Sequence, residues 1–248
     1  MVAPCFVWHF GKASSSLDVA YRLAMSGKLA EWDSVLVASQ SSGRGQMRRR
    51  WFSPVGNIYA ALRLPCSPPF LTTAAASATG GLLACALAHM GLQVCIKWPN
   101  DIVLLDSGTP KKVAGILIEE RNGVLLAGVG INVFHSPPVD FLREGAALAA
   151  TSLCESSPDF MRQYETSDHL WLSLVKHAYS VYNTNGYSEN WRDVTEHRLL
   201  WRHQSVQIHD GLIQHKGRLV GISPLGELIL DHNGLQQLCH SGSLGLAD

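Results

Sequence analysis

Between Ser34 and Asn100 the chain has no aspartate or glutamate at all. Over the same span Arg44, Arg48, Arg49, Arg50, Arg63 and Lys97 supply positive charge, in a chain whose 20 basic and 20 acidic residues otherwise cancel. A net charge of zero argues against a dedicated nucleic-acid binder, which would be basic overall. The six cysteines include no C-x-x-C pair, so neither a disulfide framework nor a thiolate metal site is indicated, and reduced thiols in a cytoplasm are expected. None of the eleven histidines stand at H-x-H or H-x-x-x-H spacing, which removes the usual imidazole metal pair. The opening MVAPCFVWHFGKASSS has no basic start and no long apolar run, so no secretory leader is read there. Phe70–Met90 is long enough to span a bilayer, but Thr72, Thr73, Ser77, Thr79, Gly80, Gly81 and His89 dilute it. A buried helix of small residues is expected instead, and no membrane association.

What is present centres on Gly43–Pro54, GRGQMRRRWFSP. Two glycines flanking an arginine, inside an acid-free region, suit a backbone that turns its N–H groups on a phosphate or carboxylate. The loop by itself is equally consistent with a solvated basic turn between strands.

Around the loop the pattern alternates. Serines 14–16 precede an amphipathic run, LDVAYRLAMSGKLAEW, a helix start whose exposed N–H groups could hold an anion or carbonyl. Strands are expected at Phe6–Phe10, Ser34–Ser39, Asn57–Leu64, Gln93–Trp98, Ile102–Leu105, Lys111–Glu119 and Gly123–Val133, the last two joined by an Asn122-Gly123 hairpin turn. Residues 136–160 read as irregular, with a short helix near Ala146–Leu153, then helices at Ser167–Asn183 and Tyr187–Leu199. From Gln204 short strands (Ser205–His209, Leu212–Ile222, Glu227–Asp231, Leu235–Cys239) alternate with Gly-containing turns. The expected class is α+β: a mixed-sheet domain over residues 1–200 flanked by helices, and a small β-domain over residues 201–248.

Four stretches, GRGQMRRRWFSP, KWPND (Lys97–Asp101), KKVAGILIE (Lys111–Glu119) and GVGINV (Gly128–Val133), occur in an order and spacing that closely resemble the catalytic domain of biotin–protein ligases. The closing β-domain is similar to that family's Src-homology-3-like barrel, so the resemblance covers essentially the whole chain. It implies a short, enzyme-only form without the N-terminal DNA-binding domain. The implied reaction joins biotin to ATP as biotinyl-5′-adenylate, then passes the biotinyl group to a lysine of a biotin carboxyl carrier protein. Biotin, ATP and Mg²⁺ are the implied substrates and activator, with no tightly bound prosthetic group and no DNA partner; a homodimer is left open.

By the same resemblance Lys112 and Arg44 are the catalytic candidates. Ser15, Ser16, Gln40, Arg44, Gly45, Gln46 and Lys112 match the biotin-contacting positions. Gly43, Arg48, Arg49, Trp51, Asn100, Asp101 and Asn132 match the nucleotide side, with Asp101 the candidate for Mg²⁺. Three positions depart from the family pattern: Gln46 stands where arginine is usual, Arg48 where glycine is, and Leu17 where a Ser-Thr-Asn element has its asparagine. The chain end also lacks an arginine that the family's barrel carries. A lipoate or octanoate ligase or transferase of the same fold, or a non-catalytic biotin- or adenylate-binding relative, are the alternatives.

Overall fold

The computed structural model describes residues 5–106, 108–141, 148–184, 186–211 and 213–247. Helix α1 (Ser16–Met25) starts where the serines place it: the Ser15 hydroxyl accepts the N–H of Leu17 at 3.3 Å. It stops seven residues before Trp32, where the apolar pattern would have carried it. Gly27 takes the left-handed conformation (φ 71°), its N–H bonds Ala24 O and the N–H of Lys28 bonds Leu23 O. Those two bonds close the helix end in the way a left-handed glycine allows.

Seven strands, β1 (Val7–Ala13), β2 (Ser34–Gln40), β3 (Ile58–Arg63), β4 (Val94–Lys97), β5 (Asp101–Asp106), β6 (Thr109–Arg121) and β7 (Val124–Ile131), form one mixed sheet in the order β1-β2-β3-β7-β6-β5-β4. Only β1 and β2 run parallel; the other neighbours are antiparallel. One face carries the helical layer. Helix α2 (Ala75–His89), α5 (Ser167–Thr184) and α6 (Tyr187–Glu196) pack there around Ile96, Ile116, Trp171 and Tyr187. The small residues of α2 make that close approach feasible: a Cβ on Gly80 would lie 3.4 Å from Ile96. Among the described residues no helix is long and apolar enough to cross a membrane.

The helix expected near Ala146–Leu153 is displaced. Residues 142–147 lie outside the described part, Ala150 pairs with Lys112 as an isolated bridge, and α3 (Leu153–Ser156) begins only after Ser152 caps it, followed by α4 (Pro158–Met161).

The C-terminal part forms a five-stranded antiparallel sheet from β8 (Ser205–Asp210), β9 (Ile213–Ile222), β10 (Leu228–His232), β11 (Leu235–Cys239) and β12 (Ser243–Leu246). The last strand is absent from the sequence pattern; it pairs with β8 across the chain end. Trp98 fastens this sheet to the larger one by donating its indole N–H to Gly226 O at 2.8 Å. Glu196 does the same from α6, accepting from Ile222 N at 2.8 Å and pairing with Arg202 at 2.7 Å.

Candidate active site

The opposite face of the large sheet is only partly covered. Helix α1 lies over β3 and β7 through Leu17, Val19 and Ala20, and the Gly43–Pro54 loop lies beside it over β6 and β7. Beneath that loop Gly115 and Gly130 face each other as direct register partners. Leu17 rests on Gly128 and the Trp51 ring on the other two; a Cβ at Gly130 would come 2.5 Å from the indole, and one at Gly115 2.9 Å.

Lys112 reaches this face because β6 is bulged. Ile102 pairs Ala114 and Val103 pairs Lys112, so Val113 is the extra residue. An inserted residue inverts the alternation of side chains before it. Val113 and Ala114 therefore both join the core, and Lys112 turns toward the site. Its ammonium lies 2.5 Å from Asp101 Oδ1 and 5.5 Å from the centre of the Trp51 ring.

The loop is a small hairpin. Arg44 bridges Arg50, Gly45 N–H bonds Arg49 O at 2.8 Å, and Trp51 N–H bonds Gly43 O at 2.9 Å around a turn at Gln46–Arg48. At Gly43 a Cβ would sit 2.7 Å from Gln40 Nε2 and 2.8 Å from Ser53 Oγ, so a larger residue there would push the Gln40–Ser53 pair aside. Gly45 has no such crowding. Gln46 and Arg49 are exposed at the tip, and of Arg48 only the backbone is described.

Arg44 is not left unneutralised, as the local sequence suggests. Its Nη2 lies 2.9 Å from Asp18 Oδ1 and its Nε 2.9 Å from Glu119 Oε1, so α1, the loop and β6 are tied at one guanidinium. The hydrogen bond from Arg44 is the largest cause that holds the Asp18 carboxyl below its ordinary value, and the two carboxylates raise Arg44 in turn.

Ser15, Ser16 and Gln40 come together at the start of α1. Gln40 Oε1 accepts Ser16 N–H at 2.9 Å, and its amide donates to Ser53 Oγ at 3.1 Å. Asn100 and Asn132, also expected at the site, are engaged as builders: Asn100 Nδ2 donates to Ile116 O at 2.8 Å, and Asn132 Nδ2 to Thr151 O at 3.1 Å. Asn57, which sequence reasoning passed over, organises the segment after β7. Its Oδ1 accepts the N–H groups of Val133, Phe134 and His135 at 3.0, 2.9 and 3.0 Å.

Beyond Lys112 opens a cleft of about 480 Å³ lined by Phe52, Pro54, His135, Pro137, Pro138 and Ala149. Its size and mostly apolar lining suit a flat ring system. Phe52, not Trp51, lines it. Lys112 N–H bonds Ala149 O at 2.8 Å, so the cleft and the lysine share one piece of backbone.

Residues 25–135 match the sequence model of the Biotin/lipoate A/B protein ligase family. The bifunctional ligase/repressor BirA of Bacillus subtilis (strain 168) is 30% identical over 238 residues, covering 89% of this chain and 67% of that protein. The chain belongs to the biotin/lipoate protein ligase family. The Escherichia coli (strain K12) BirA is 34% identical over 122 residues, 46% of this chain and 36% of that protein. Among solved structures, the Aquifex aeolicus biotin protein ligase in complex with biotin and ATP superposes with a TM-score of 0.71 at 22% identity, covering 97% of each chain. The Leishmania major biotin protein ligase in complex with biotinyl-5-AMP gives 0.63 at 24%, covering 95% of this chain and 99% of that one. At those identities the structural likeness establishes the fold that the family membership implies, a mixed sheet with a smaller antiparallel sheet after it.

Proposed function

We infer that this chain is an ATP-dependent biotin–protein ligase. The observation that carries the reading is the setting of Lys112. A β-bulge aims one ammonium onto a glycine floor that can take a flat ring, beside an apolar cleft that can take a second. The first chemical step requires such a cation. An oxygen of the biotin carboxylate attacks the α-phosphorus of ATP, the bond to the bridging oxygen breaks, and pyrophosphate leaves. Two anions meet in that step, and a fixed positive charge between them offsets their repulsion most where charge builds up. In the second step a carrier lysine amine attacks the acyl carbon, AMP departs with the bonding electrons, and the nitrogen gives up a proton.

Each group has a task in this reading. Lys112 faces both anions, and Asp101 holds it in place until they arrive. Gln40, with Ser16 and Ser53, presents amide and hydroxyl groups at the biotin end; Arg44 and Gly45 hold the loop across it. Gly43, Arg48, Arg49, Asn100 and Asn132 shape the nucleotide side, and Phe52 supplies an aromatic wall for the base. Residues 1–200 form the catalytic unit and residues 201–248 the small β-domain that braces it. The carrier is a biotin carboxyl carrier protein, and the compartment is the cytoplasm.

Among the described residues Asp101 is the one carboxylate placed beside Lys112, which it meets through Oδ1. A magnesium ion brought with ATP would need one or two carboxylates besides the phosphates and waters, and Asp101 would serve it directly or through a water. The test is biotin-dependent exchange of labelled pyrophosphate into ATP. Exchange with biotin and none with lipoate or octanoate is expected; the reverse pattern would overturn the reading.

A further inference from the structure

Leu17 and Trp51 divide the glycine floor between them, but they are held differently. Leu17 sits in the first turn of a helix whose start is capped and whose face is packed on the sheet. Trp51 sits at the end of a loop hairpin, and its indole Nε1 is buried without a hydrogen-bond partner. A buried donor left unsatisfied disfavours the position it occupies. The ring is therefore well shaped for the Gly115–Gly130 pair and chemically mismatched to it.

The ring also covers bare backbone beside Lys112: its centre is 5.5 Å from the ammonium, and Gly115 and Gly130 lie directly under it. A carboxylic acid activated at Lys112 needs that space for the ring attached to it. We propose that Trp51 is an internal occupant of the substrate's ring site. The ligand-free enzyme closes its own floor with the indole, and biotin binds only to the fraction of molecules in which the indole has swung out. This rests on the biotin ligase reading above and adds a gate to it.

The gate makes a kinetic signature. If the ring must leave first, the observed rate of biotin binding levels off as biotin concentration rises. Replacing Trp51 by alanine removes the occupant. If the indole is in place in about nine molecules of ten, apparent affinity improves about tenfold, because it scales with the binding-competent fraction. Trp51→Phe keeps a ring over the glycines without the N–H, and serves if the alanine variant unfolds; its rates should fall between the two.

The experiment is stopped-flow tryptophan fluorescence with free biotin on the full chain. The wild type should give a signal absent from Trp51→Phe and a saturating rate, and Trp51→Ala, followed by radiolabelled biotin, should bind tighter. Linear rates in the wild type, or weaker binding in both variants, would make Trp51 a wall of the bound site and overturn the gate alone. No biotin binding by the wild type would overturn the gate and the ligase reading together.

Discussion

Lys112 Nζ lies 2.5 Å from Asp101 Oδ1, and the extra residue Val113 in β6 is what turns the lysine toward the aspartate. The pair couples the KWPND turn to the KKVAGILIE strand at the point where the two substrates would meet. Lys112→Ala should lower adenylate formation about 10²–10³-fold, as loss of one preorganised charge does. Its melting temperature should stay close to that of the wild type, because the ammonium is not part of the core. Lys111→Ala is the local comparison and should keep its activity. Equal losses in the two variants, read by pyrophosphate release, would contradict the assignment.

Asn57→Ala tests how the segment after β7 is built. Removing the carboxamide leaves the N–H groups of Val133, Phe134 and His135 without their common acceptor. The side chain is buried, so a loss on the order of 3 kcal/mol is expected in urea unfolding. An unchanged unfolding midpoint would show that water replaces the amide.

Asp18 carries a pH dependence with a defined sign. Its folded value lies below the ordinary 3.8, chiefly through the hydrogen bond from Arg44. Its contribution is thus complete above pH 3.8 and is lost as pH falls from there through the folded value. Acid unfolding curves of the wild type and Asp18→Asn should converge on that descent and stay apart at neutral pH. A constant gap down to the most acidic point would show that Asp18 and Arg44 are not linked in solution.

Gln46 sits exposed at the tip of the hairpin, a neutral side chain among arginines. In the biotin ligase reading, its neutral amide offers the adenylate no charge-assisted hydrogen bond. Biotinyl-adenylate should escape and label lysines on an unrelated protein when no carrier is present. Gln46→Arg should cut that labelling about tenfold. Equal labelling by both proteins on a biotin blot would clear Gln46 of this role.

Much of this arrangement was legible in the sequence, because motif order carries it. The strands around Lys112, the serine start of α1 and the turn at Asn122-Gly123 all follow from local chemistry. The C-terminal end of α1 was also written locally, in Ser26-Gly27-Lys28, but the apolar pattern beyond it obscured the stop. What no local pattern holds is the neutralisation of Arg44, whose partners lie 26 and 75 residues away. The Gly115–Gly130 floor is hidden for the same reason: each glycine reads as an ordinary strand residue until the register of β6 and β7 puts them opposite each other. Strand β12 is only four residues long, and its partner β8 lies far back in the chain.

The most direct measurement is the mass of a biotin carboxyl carrier domain after incubation with this protein, biotin and MgATP. The account predicts a gain of one biotinyl group on the carrier's lysine, lost when Lys112 is replaced by alanine. A carrier of unchanged mass, or one modified equally well by the Lys112→Ala protein, would contradict it.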